Sequence, residues 1–138
     1  MNRRTISGLL LLLLAACTEE KKGPSADSDV DAVSSFIRAS LDNDFASARN
    51  YLLADSANLE LLELAAENRA RLSREENRRY KEASIRIHDT RSINDSTSII
   101  IYDNSFRHQR DSMRVVRQGD QWRVDLKYTL LNSSGNQP

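Results

Sequence analysis

Gly119-Asp120-Gln121-Trp122-Arg123-Val124-Asp125-Leu126-Lys127-Tyr128-Thr129-Leu130 alternates almost without a break. Trp122, Val124, Leu126, Tyr128 and Leu130 fall on one side, and Arg123, Asp125, Lys127 and Thr129 on the other. A period of two belongs to a strand with one buried and one wet face. Gly119-Asp120 has glycine at the first central position of a two-residue turn, which suits a type II′ hairpin. The partner strand is then Met113 to Arg117. Further back, Thr97 to Phe106 is rich in β-branched and aromatic residues, and Ile85 and Ile87 alternate. The C-terminal half therefore predicts an antiparallel sheet of about four strands.

The N-terminal half has the other period. Ser28 and Asp31 supply a cap and an acidic third residue, after which Val30, Val33, Phe36, Ile37 and Leu41 recur at helical spacing. Asn43-Asp44 end this helix and begin another, with Phe45, Ala48, Tyr51 and Leu52 on one face. Asp55-Ser56 cap a third, through about Arg71. Its Leu59, Leu62 and Ala66 stripe is widened by Leu61, Leu64 and Ala65, a width expected of a helix gripped from more than one side. Ser73-Arg74-Glu75-Glu76 is a capping box for a short polar helix. The arginines around it, Arg69 to Arg79, alternate with Glu67, Glu75, Glu76 and Glu82 and read as a solvated face. Helices followed by antiparallel strands define an α+β class, with helices on one sheet face.

A different signal occupies the start of the chain. Arg3 and Arg4 precede the leucine run Leu9 to Leu14, and Ala15-Ala16-Cys17 closes it. This is the layout of a secretory signal, and the run is too short for the roughly 20 apolar residues of a membrane span. Leu14-Ala15-Ala16-Cys17 resembles the bacterial lipobox. The resemblance implies a signal peptide over 1–16 and a diacylglyceryl group on Cys17, followed by acylation of the new amine. The membrane is then a partner through lipidated Cys17, since two or more acyl chains anchor stably. Residues 17–28 read as a tether, 29–131 as the domain and 132–138 as a disordered tail. Thr18 stands where an aspartate retains many lipoproteins at the inner membrane. The expected location is therefore the outer membrane of a bacterial envelope, lipid-anchored and either periplasmic or surface-exposed.

Composition excludes several functions. The chain carries 20 basic and 20 acidic residues, so it lacks the basic excess of a nucleic-acid binder. Cys17 is the only cysteine, and His88 and His108 are the only histidines, neither in a metal-ligand spacing. Four glycines, at 8, 23, 119 and 135, leave no phosphate loop, and no G-x-S-x-G motif occurs. No cofactor, metal or nucleic acid is expected.

Leu41-Asp42-Asn43-Asp44-Phe45 and Gly119-Asp120-Gln121-Trp122-Arg123-Val124-Asp125 resemble the first helix junction and the closing hairpin of the nuclear transport factor 2-like (cystatin-like, ketosteroid-isomerase-like) superfamily. The likeness spans about Asp29 to Tyr128 and is nearest a branch of small bacterial lipoproteins. It implies a cone of helices against a curved sheet. That fold hosts isomerases, dehydratases, binding proteins and assembly modules, so it leaves function open.

Three readings of the site follow. A ligand pocket inside the cone would draw on Phe36, Phe45, Tyr51, Trp122 and Tyr128 and take a small apolar molecule. A proton-transfer enzyme would need an inward carboxylate. Asp89 is in phase with Ile85 and Ile87, and Asp103 with Ile99 and Ile101. Burial would raise such a carboxyl's pKa and make it a base. Near a strand end the same side chain reaches water at the rim, which is the expectation here. His88, in phase with Arg86 and Thr90, is placed on the outer face. Lastly, Ile99-Ile100-Ile101-Tyr102 and Val115-Val116 are apolar on both strand faces. This predicts an outer patch of Ile100, Tyr102 and Val116 that pairs with a second copy or another envelope protein. The preferred reading is a non-catalytic binding or interaction module. A cofactor-free isomerase or dehydratase and a structural envelope subunit are the alternatives.

Overall fold

The computed structural model describes residues 26–129. Cys17, the leader, most of the tether and the tail 132–138 lie outside the described residues. Four helices, α1 (Asp29–Leu41), α2 (Phe45–Arg49), α3 (Ser56–Ala70) and α4 (Arg74–Glu82), precede four strands. These are β1 (Ile85–Asn94), β2 (Thr97–Asn104), β3 (Asp111–Gln118) and β4 (Gln121–Asp125), paired antiparallel in the order β1-β2-β3-β4. The class is α+β, helices first, then an open four-stranded sheet. Among the described residues no helix is long and apolar enough to cross a membrane.

The helix ends follow from their capping residues. Ser28 accepts from the Asp31 amide, Asp44 from Ser47 and Asp55 from Asn58. Ser73 and Glu76 form the reciprocal box at the start of α4. α1 stops at a left-handed Asn43 (φ 63°). The Asp44 amide reaches back to the Ala39 carbonyl (2.8 Å) and the Asn43 amide to Ser40 (3.1 Å). That is a Schellman closure with asparagine in the position glycine usually takes.

Register sets the two faces. Ile100 pairs with Met113, Ser98 with Val115, and Val115 with Val124. Ile100, Val115 and Val124 are fully buried with Val33 and Ala32 of α1, and this is the core. On the opposite face Ile99 sits opposite Arg114, Ile101 opposite Ser112, and Thr97 opposite Val116. Gly119 (φ 65°) turns β3 into β4, with Gln118 and Gln121 as the closing pair.

Three expectations are corrected by this register. Ile100 and Tyr102 do not lie on an outer patch: Ile100 is at the centre of the core, and Tyr102 packs against it. Only Val116 is on the open face. The apolar run in β2 is continuous, so its alternation cannot be phased from the run itself. Asp89 is displaced from the phase of Ile85 and Ile87 because β1 is irregular at His88, so that Ile87 faces Tyr102 and Asp89 faces Ile101. One extra residue moves every later side chain to the other face. Finally, β4 ends at Asp125 rather than continuing to Leu130.

Asn58 explains that early end. Its side-chain oxygen accepts the Leu126 amide (2.7 Å), and its amide donates to Asp125 (3.2 Å) and Asp55 (3.0 Å). The backbone group that would continue the ladder is thus taken by a buried side chain from α3. Tyr128 leaves the sheet, and its ring lies 5.9 Å below the Arg114 guanidinium.

Candidate functional site

α3 is held at both ends and stands off the sheet between them. At its N-terminal end Asn58, fully buried, joins Asp55, Asp125 and the chain at Leu126. At its C-terminal end Arg69, 7 % exposed, donates to the Leu41 carbonyl (2.8 Å) at the end of α1 and to the Asn77 side chain. The Tyr80 ring lies 4.3 Å from its guanidinium carbon. Burial pushes the Arg69 pKa down, while Tyr80 and Asp42 oppose this. The carbonyls it meets belong to a helix C-terminus, where a cation is favoured.

The gap between these ties is a cavity of about 430 Å³. Phe36, Leu41, Phe45, Leu62, Met113 and Leu126 give it apolar walls. Tyr80, Tyr102, Asn104 and Arg107 add polar groups at the β2 end. Of the expected pocket residues, Phe36 and Phe45 line it. Tyr51, Trp122 and Tyr128 do not. Trp122 packs against the core where its amide meets the Ala26 carbonyl (3.3 Å), ahead of α1, whereas the cavity takes the C-terminal half of that helix. The Tyr51 carbonyl accepts the Val124 amide (2.8 Å), so this segment runs along the free edge of β4.

Neither aspartate lies in the cavity. Asp89 is exposed on the open face, bonded to Arg91 (3.0 Å). Asp103 is also on that face but is 5 % exposed. It accepts from Arg86 (3.0 Å) and bonds the His88 Nε2 (2.8 Å). The His88 bond, burial and Arg86 act on its carboxyl in that order, and the net direction is below the usual carboxylate range. Asp125 repeats the pattern on β4. Burial pushes its carboxyl up, but Arg114 and Asn58 outweigh this and hold it low. Carboxyls held low are poor proton acceptors, so these two act as fixed anions of an ion-paired face. Among the described residues no group of three or more His, Cys, Asp or Glu could hold a metal.

Asn58 and Arg69 escaped the sequence reading, and Arg69 was expected in water. A signal was present for each: Asn58, Leu62, Ala66 and Arg69 follow the i, i+4, i+8, i+11 spacing of one helical stripe. The wide apolar face of α3 is not gripped on two sides, since Leu64 is 52 % exposed. No protein-family model matches the chain, and no curated protein or solved structure gives a significant match.

Proposed function

We propose that the chain is a lipid-anchored bacterial envelope protein whose domain binds a small apolar ligand in the cavity under α3, without catalysing its conversion. The single observation that carries the binding reading is the cavity's composition. Its volume falls within the range of about 300–1,000 Å³ common to small-molecule sites, with mostly apolar walls and a few convergent polar groups. Asp, Glu and His are absent from the described residues that line it, which favours binding over the carboxylate or imidazole base of the isomerase alternative. The cone shape of the nuclear transport factor 2-like superfamily is part of this proposal. Its support is the order of helices and strands, the Asp42-Asn43-Asp44 junction and the Gly119 hairpin.

Anchoring through Cys17 to the outer membrane rests on the lipobox resemblance. Cys17→Ser should prevent labelling by a fatty-acid analogue and release the protein from the membrane fraction, because the acyl chains on Cys17 supply the attachment. Unchanged labelling would remove this half of the proposal. For the cavity, the environment-sensitive probe N-phenyl-1-naphthylamine should bind the purified chain saturably. Ala65→Trp, which places an indole at the cavity wall on the exposed side of α3, should abolish that binding. Equal binding by both proteins would mean that the probe sits elsewhere.

A further inference from the structure

The cavity's charged groups are of one sign. Its wall holds two guanidiniums, Arg69 and Arg107, and no carboxylate. Arg69 already meets Ser40, Leu41 and Asn77, all neutral acceptors. Arg107 is exposed, and its guanidinium meets only the Gln109 side chain, at 3.3 Å. The Tyr102 hydroxyl makes no hydrogen bond to any described residue, and burial pushes its pKa well above the usual phenol range. At neutral pH it is a donor that no described residue takes up. Asn104, which lines the cavity, spends its side-chain oxygen on the Phe106 and Arg107 amides (3.1 and 2.9 Å), which leaves its NH₂ group without a described acceptor. Tyr102, Asn104 and Arg107 also line an adjoining cleft of about 240 Å³, so the donors stand where the apolar cavity opens into a polar one. Asp111, the cross-strand neighbour of Tyr102 on β3, also lines that cleft and adds to the rise in the Tyr102 pKa, so an anion is held on the Arg107 and Asn104 side, with Tyr102 at its edge.

We propose that the site selects an apolar molecule bearing one anionic oxygen group, such as a carboxylate or sulfonate. The body lies against Phe36, Leu62 and Met113, and the anion meets Arg107, Tyr102 and Asn104. This rests on the binding reading above and narrows its ligand. Donors in excess of acceptors at the mouth of an apolar cavity favour an acceptor-rich, charged head over a neutral one. A neutral ligand of the same shape would cover these donors without pairing them, which is the costly outcome.

The test uses two probes that share an anilinonaphthalene body and differ by one sulfonate. They are N-phenyl-1-naphthylamine and 8-anilino-1-naphthalenesulfonate, titrated against the purified full chain, Arg107→Gln and Ala65→Trp. The sulfonate should bind about tenfold tighter than the neutral probe, the size of one charge-assisted hydrogen bond. Arg107→Gln should reduce that preference to less than about threefold while leaving the neutral probe unchanged. Ala65→Trp should remove both. Equal affinities in the unmodified chain would overturn the anion preference and leave the apolar site intact. Failure of both probes, or binding that Ala65→Trp does not affect, would overturn the site as well. A sulfonate preference that persists in Arg107→Gln would overturn the assignment of the head group to Arg107. Because Arg107 is exposed, its replacement leaves the fold in place, and circular dichroism verifies this.

Discussion

The two faces of the sheet bury comparable side chains by opposite means. On the helix side Ile100, Val115 and Val124 disappear into α1, and what is left under α3 is an apolar space with donors at its mouth. On the open side Asp103 and Asp125 are 5 % and 1 % exposed, Asp103 bonded by residues of β1 and Asp125 met at the end of β4 by Asn58 of α3. Each is held by polar side chains rather than apolar packing: Arg86 and His88 for Asp103, and Arg114, Lys127 and the uncharged Asn58 for Asp125. Burial alone therefore does not mark a functional carboxylate here. The unspent hydrogen-bonding groups are on the apolar side, and the charged side has paired its own.

The sharpest way to break this comparison is to place the same charge on neighbouring residues of β2. Ile100→Lys should unfold the domain, since an unpaired ammonium in the core costs a large part of the roughly 5–15 kcal/mol that holds a domain together. Ile101→Lys, on the open face, should leave it folded with a loss below about 1.5 kcal/mol. Thermal melts compare the two, and a stable Ile100→Lys protein would show that the faces are reversed.

Asn58→Ala comes next. It removes a donor to Asp125 and the acceptor of the Leu126 amide, both away from water, and should cost about 2–3 kcal/mol by urea titration. A loss below about 1 kcal/mol would mean that α3 is not tied to β4 through this residue.

That pairing bears on what could be read from residues alone. The helices and their caps were legible because each cap is a local signal: Ser28, Asp44, Asp55 and Ser73 bond residues three positions on. β1 and β4 were legible from their period, β2 from its β-branched and aromatic content, β3 as the partner across the hairpin, and the Gly119 turn from its glycine. The faces were not. β2 is apolar at Ile99, Ile100 and Ile101 alike, and β1 loses its phase at His88, so no local pattern separates inside from outside. The cavity depends on Asn58 and Arg69, whose partners lie 67 and 28 positions away. Such contacts leave no period in the chain. Phe36 and Phe45 were found as cavity residues because helix α1 and its junction were correctly phased. Trp122 was misplaced because being on the right face does not fix the position along it.

Acid should separate the faces by a smaller amount. The folded pKa of Asp103 and of Asp125 lies below the ordinary 3.8, so each proton-free carboxylate contributes stability above that value. The contribution is lost as pH falls through the folded pKa, in the region below about pH 4. Stability measured from pH 5 to pH 2 should fall less steeply in Asp125→Asn than in the unmodified protein. Identical slopes would mean that Asp125 titrates normally in the fold. The smallest effect should come from Arg91→Ala, whose bond to Asp89 is exposed on both sides. It should change stability by no more than about 0.5 kcal/mol.

The most direct test of the cavity reading is a methyl spectrum of the ¹³C-labelled chain recorded during titration with N-phenyl-1-naphthylamine. The Leu62, Met113 and Leu126 methyls under α3 should shift together and saturate, while those of Ile101 and Val116 on the open face stay still. Shifts at Ile101 and Val116 with none at Leu62 and Met113 would place the ligand on the wrong side of the sheet and contradict the account.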